Sequence, residues 1–148
     1  DQLVSTTTTQ WIGSELTYQP PSGTDLVIYK LSIPAYVGDD TSYLRAQWSL
    51  WIDNVEQFPT RSVAHGNDYY GERIYFEFPI NIDTSLAEDD PTKCLLSSWT
   101  STKKLEIRGR CEANWTEFTL CRLYFWDGSA GGTEVIPPSV GITAIKSS

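Results

Sequence analysis

Three thiols, one imidazole and a few carboxylate clusters are the groups in this chain that could do chemistry, and their spacing limits what they can do. Cys94, Cys111 and Cys121 are an odd set, so at least one thiol stays free or pairs between chains. No Cys-x-x-Cys spacing occurs and His65 is the single histidine, so a zinc centre would need ligands converging from separate loops. His65 has Ser62 and Asp68 nearby, the residue types of a nucleophile–base–acid triad. The glycine pattern of a nucleophile elbow is missing, and the sequence places all three in a loop, so a surface histidine is expected. Glu72 and Glu77 have opposite parity on one strand and cannot flank the same glycosidic bond. Asp39-Asp40 and Glu88-Asp89-Asp90 lack the spaced acidic and glycine residues of a calcium loop and read as solvated turns. The expectation is a non-enzymatic protein with no cofactor and no metal site.

The elements that must position these groups read as strands. Leu105, Ile107, Gly109 and Cys111 share one face of a strand, opposite Lys104, Glu106, Arg108 and Arg110. Residues 118–126 repeat the alternation. A hairpin centred on Thr116 would set Cys111 opposite Cys121, close enough for a disulfide or for two facing thiols. Earlier strands are expected over 11–18, 26–33, 43–52 and 72–82, with Pro79 marking a sheet edge or bulge because proline cannot donate to a ladder. A further run closes the chain at 140–145. The connections 58–71 and 83–98 are long, and residues 1–10 read as a polar lead-in, either a linker or an edge strand. With no helical period anywhere, the expected fold is all-β, an antiparallel two-sheet sandwich of the jelly-roll kind. An immunoglobulin-like sandwich is the alternative, disfavoured by the ten-residue separation of Cys111 and Cys121.

At 148 residues and 16.7 kDa the chain suits one domain, 1–148, with a single core. Nineteen acidic against eleven basic residues give a net charge of -8, which opposes nucleic-acid backbones and anionic membranes. No stretch approaches the ~20 apolar residues of a membrane-spanning helix. Neither nucleic acid nor membrane insertion is expected, and the chain reads as a mature product or an excised domain.

Six tryptophans and eight tyrosines are the stronger hint of function. Alternation turns Trp48 inward, whereas Tyr43, Trp51 and Tyr75 fall on the outward parity of their strands; Tyr69 and Tyr70 lie in the long connection 58–71. Outward aromatics suit a subunit interface or stacking on sugars, unless the protein's own loops cover them. Asn114-Trp115-Thr116 fits a glycosylation acceptor but sits at the expected hairpin tip and reads as a turn.

The segment Thr17-Tyr18-Gln19-Pro20-Pro21-Ser22-Gly23-Thr24 leading into Val27-Ile28-Tyr29, the Trp99 segment with Lys103-Lys104, Trp126-Asp127-Gly128 and the closing Ile142-Thr143-Ala144-Ile145 resemble a domain recurrent in structural proteins of tailed bacteriophages, particularly those of marine and cyanobacterial hosts. Such a resemblance implies a fibre, tail or other appendage domain of the virion, with a jelly roll similar to those of tumour necrosis factor and C1q. It also implies a homotrimer, attachment to a host-surface glycan or protein receptor, and the loops 37–41, 58–71 and 86–95 presented outward. Assembly in a reducing host cytoplasm would keep the cysteines as thiols. The alternatives are a carbohydrate-binding module of a larger secreted enzyme and a collar or capsid-decoration protein.

Overall fold

Alternation becomes burial along the central strands. Val27, Tyr29, Leu31, Ile33 and Ala35 line the buried face of one strand, Ala46, Trp48, Leu50 and Ile52 that of the next, and Leu105 and Ile107 that of a third. The computed structural model describes residues 2–4, 8–11, 13–37, 44–66, 72–111, 118–125 and 132–147. In chain order the strands are β1 (Gln2–Val4), β2 (Thr9–Gln10), β3 (Leu16–Tyr18), β4 (Leu26–Val37), β5 (Leu44–Ile52), β6 (Val55–Glu56), β7 (Ser62–Gly66), β8 (Glu72–Ile82), β9 (Leu95–Leu96), β10 (Lys103–Cys111), β11 (Phe118–Leu120), β12 (Arg122–Phe125), β13 (Gly132–Val135) and β14 (Ser139–Ile145). A single 3-10 turn, Phe58–Thr60, is the helical element among the described residues, and no described helix is long and apolar enough to cross a membrane.

The first sheet runs β1-β11-β4-β8-β9, with β14 also on β4; the second runs β2-β10-β5-β6, with β3 on β10 and β7 on β5. Taking β1, β2 with β3, β4, β5, β7, β8, β10 and β11 as eight successive positions, one sheet reads first, eighth, third, sixth and the other second, seventh, fourth, fifth. Every link except β5 to β7 crosses between the sheets, which is the interleaved order of a jelly roll. Pairing is antiparallel throughout except for β8 with β9. Strands β12 and β13 form a separate ribbon. The lead-in is part of both sheets, since β1 pairs with β11 and β2 with β10. Pro79 sits where β8 has β4 on one side and no second partner among the described residues, β9 reaching only Asn81 and Ile82.

Two expectations are corrected. The hairpin joining 104–110 to 118–126 is not formed. Cys111 stands opposite Ala46 in the second sheet, whereas β11 pairs with β1 and β4 in the first, and Cys121 follows it as a left-handed residue (φ 63°) whose N–H donates to Pro34 C=O at 2.7 Å. The register that would face Cys111 with Cys121 is therefore absent, because the chain crosses the sandwich between them. The connection 58–71 is not a plain loop either: it holds the 3-10 turn and β7, so His65 lies on a strand, opposite Arg45.

Between the sheets, Trp11 is fully buried and packs edge-on against Trp48 at 5.7 Å and Phe76 at 5.6 Å between ring centroids. Although expected in a strand, Trp11 precedes a turn at Gly13 (φ +74°), and β3 begins only at Leu16. Gly109 makes room for the ring: a Cβ there would stand 2.5 Å from Trp11 Nε1. A buried polar chain fastens this region. Trp11 N–H donates to Ile107 C=O (2.9 Å), Ile107 N–H donates to Ser14 Oγ (3.1 Å), and the Tyr29 hydroxyl, from the opposite sheet, donates to Ser14 C=O. Burial, with the charge of Glu106 adding to it, pushes the Tyr29 hydroxyl above its ordinary range and keeps it a donor.

A sheet-face cleft as candidate functional site

The outward parity of β5 and β10 builds a polar face. Register sets Glu106 opposite Trp51, Arg108 opposite Ser49 and Arg110 opposite Gln47. Beyond β5, a two-residue turn with both residues left-handed, Asp53 (φ 48°) and Asn54 (φ 69°), folds β6 back and brings Glu56 alongside Trp51. The 3-10 turn is fixed to β5 by Leu50 N–H donating to Thr60 Oγ1 (2.8 Å) and Gln57 N–H to Leu50 C=O (2.8 Å), which delivers Arg61 to the same face. These elements enclose a cleft of about 510 Å³ whose walls include Gln47, Ser49, Trp51, Glu56, Arg61, Arg108 and Arg110.

Charges in the cleft are arranged in layers. Glu106 is 1 % exposed; its Oε1 accepts from Arg108 Nε at 2.6 Å and from Arg108 Nη2, and its Oε2 lies 2.9 Å from Lys104 Nζ. Lys104 also reaches Glu15 at 3.0 Å, and the two carboxylates, Glu106 foremost, hold its ammonium above the usual lysine range. Arg108 donates on to Asn54 Oδ1 and sits over Trp51, its guanidinium carbon 4.3 Å from the ring centroid. Trp51 Nε1 donates to Ser49 Oγ at 3.0 Å. Arg61 grips Glu56 with two parallel bonds, 2.9 and 2.7 Å, and stacks on Phe58 at 4.4 Å. Arg61 foremost, then the Ser49 hydroxyl and the charge of Arg110, hold the Glu56 carboxyl below its ordinary range. Arg110 itself has only the Gln47 side-chain oxygen at 3.4 Å among the described residues.

A second, shallower cleft of about 370 Å³ lies on the outer face of the first sheet. There Ser32 sits between Tyr75 and Ser139, and Lys30 between Glu77 and Gly141. Tyr75 is 73 % exposed, nothing lies within 4 Å of where a Cβ would stand at Gly141, and Lys30 pairs with Glu77 at 3.6 Å.

The sequence-predicted site residues divide accordingly. Trp51 and Tyr75 are on outer faces as their parity predicts, but on opposite sheets, so they do not form one patch. Trp51 is half-buried beneath Arg108, whereas Tyr75 stands free. Tyr43, Tyr69 and Tyr70 lie outside the described residues, as do positions 38–41 of the first expected loop and 67–71 of the second. Loop 86–95 is held by its own acids: Asp89 accepts from Ser97 N–H and Oγ (both 2.8 Å), and Asp90 from Thr92 N–H and Oγ1 (3.0 and 2.5 Å). Asp89 and Asp90 are thus used as turn acceptors, and no cluster of His, Cys, Asp or Glu suited to a metal occurs among the described residues. Cys94 is buried, and desolvation pushes its thiol up to about 11. No family model, curated protein or solved structure matches the chain.

Three residues of the cleft went unread as functional. Arg108 and Arg110 carried a signal, since three of the chain's eleven cations, with Lys104, share one strand face in an acidic protein. Arg61 carried none, because only the docking of the 3-10 turn on β5 brings it there.

Proposed function

We propose that this chain is a non-catalytic recognition domain of a virion appendage, a homotrimeric jelly roll that meets a host-surface glycan or protein receptor. The observation that carries the reading is the cleft on the second sheet, where an indole plane, an amide, a hydroxyl and three guanidinium groups converge. Aromatic planes stack on the C–H faces of sugars, and planar amide and guanidinium groups meet their hydroxyl pairs with fixed geometry. Two carboxylates of the face are each held by an arginine, Glu56 by Arg61 and Glu106 by Arg108, which supports structural rather than acid–base roles for both. The jelly roll and the resemblance to tailed-phage structural domains support the appendage assignment, and with it a place on the exposed surface of the particle. A net charge of -8 argues against nucleic acid as partner.

Competition tests this directly. The purified domain, in excess, is expected to block adsorption of the parent particle to its host, and Trp51→Ala is expected to weaken the block. In light scattering its mass is expected at three times 16.7 kDa. Undiminished adsorption at saturating domain would remove host binding from the reading. The exposed Tyr75 in the cleft on the first sheet favours a second reading, a carbohydrate-binding module of a secreted enzyme. A persistent monomer that binds a soluble glycan would favour it over the trimer.

A further inference from the structure

We infer that the cleft on the outer face of the second sheet selects an acidic saccharide, with Arg110 receiving the oxyanion of a uronate carboxylate or a sulfate ester while Trp51 and Arg108 form the wall against which the sugar lies. The inference rests on the glycan-binding reading and narrows it to one ligand class. Its basis is the balance of charge on this face. Lys104 and Arg108 share Glu106, Lys104 also meets Glu15, and Arg61 is closed on Glu56. Among the described residues four cations therefore face three carboxylates, and Arg110, which acts on Glu56 through its charge without bonding it, is the cation that no carboxylate grips. Its single described bond, to Gln47 at 3.4 Å, is at the outer limit for a hydrogen bond and is to a neutral oxygen. A guanidinium has five donors in a fixed fork that matches a carboxylate or sulfate edge, so Arg110 keeps most of its capacity for a ligand.

The surroundings favour this role. Arg108 and Arg61 are fixed by their carboxylates and by ring stacking, so the walls are preorganised, while Arg110 is exposed at the same cleft. The chain's overall negative charge does not prevent a local anion site, because charges beyond about 8 Å are largely screened at physiological ionic strength. It does work against long polyanions, whose remaining charges would meet an acidic surface.

Titration of the full chain, followed by tryptophan fluorescence and calorimetry, tests the inference with a galacturonic acid tetrasaccharide, its methyl ester and a sulfated galactose tetrasaccharide. The acid or the sulfate ester is expected to bind at least about tenfold more tightly than the neutral ester, and whichever is preferred identifies the oxyanion. Arg110→Gln is expected to erase that preference, lowering affinity for the preferred anion far more than for the methyl ester, with the melting temperature unchanged; Arg110→Lys, which keeps the charge but not the fork, is expected to restore part of it. Equal affinity for acid and ester would overturn the inference and leave glycan binding standing. Failure of all three to bind would overturn both. A duplex oligonucleotide bound as tightly as the acid would overturn the saccharide assignment.

Discussion

Replacing Gly109 by alanine sets one methyl group against the centre of the core. The added Cβ would lie 2.5 Å from Trp11 Nε1 and 2.7 Å from Cε2 and Cζ2, where carbon contacts settle near roughly 3.5–4.0 Å, so ring and strand must part by about 1 Å. Trp11 has nowhere to retreat. It is fully buried, edge-on to Trp48 and Phe76, and those two rings are themselves 4.8 Å apart. Overpacking of this kind costs about 1–3 kcal/mol, offset by the roughly 0.4–1 kcal/mol that losing a glycine contributes through the unfolded chain. A net loss of about 1–2 kcal/mol, or about 3–6 °C in Tm for a domain of this size, is expected by calorimetry. Gly141→Ala is the internal reference: nothing lies within 4 Å of its Cβ, so it should melt at or above the parent temperature. In a Trp11→Phe background the smaller ring should relieve most of the Gly109→Ala cost, a coupling that a double-mutant cycle reads out. If Gly109→Ala melted within about 1 °C of the parent, or its cost persisted in full beside Phe, the seating of Trp11 under β10 would be wrong.

Other outcomes follow from buried polar groups and titrating side chains. Ser14→Ala leaves the buried Ile107 N–H without its acceptor and should cost about 1–3 kcal/mol in urea unfolding, with an unchanged m-value; a loss below about 0.5 kcal/mol would contradict the bonding described. Cys94, its thiol pushed up to about 11 by burial, should resist iodoacetamide at pH 8 in the folded protein and react on unfolding, as peptide mass spectrometry would show. The carboxyls of Glu15, Asp25, Glu56, Asp83 and Asp90 all lie below their ordinary values of 4.5 for Glu and 3.8 for Asp, through bonds from Gln10, Ser147, Arg61, Ser85 and Thr92 respectively. The folded state thus binds fewer protons than the unfolded one. Their stabilisation is complete above those values and disappears as pH falls through the lower folded ones, so denaturation midpoints should be level from neutrality to about pH 5 and drop below about pH 4. A midpoint that rose on acidification would refute the assignment.

Much of the fold was legible because alternation and burial are the same fact seen twice. Leu105 and Ile107, or Trp48 against Trp51, could be assigned to inner and outer faces from parity alone, and the structure agrees. Parity says which face, not which neighbour. That is why residues 111 and 121 invited a hairpin when the chain was instead crossing from one sheet to the other, and why Ser62–Gly66, short and weakly apolar, passed for loop. The cleft was half legible for the same reason. The alternating charges of β10 were visible, but Glu106 under Arg108, Arg61 on Glu56 and the stack on Trp51 arise from pairings between distant segments.

The pairing of β14 with β4 bears on how the molecule forms rather than how it rests. Seven consecutive pairs, from Ser139 with Ser32 to Ile145 with Leu26, join segments more than a hundred residues apart. Closing a loop of that length comes before any reward from the pairing, and domains dominated by such distant partners typically fold over about milliseconds to seconds. Until then one flank of β4 is an open template for a strand of the same type. In crowded refolding that strand can come from a neighbouring copy, so recovery of native protein should fall with concentration even where the finished domain is fully stable.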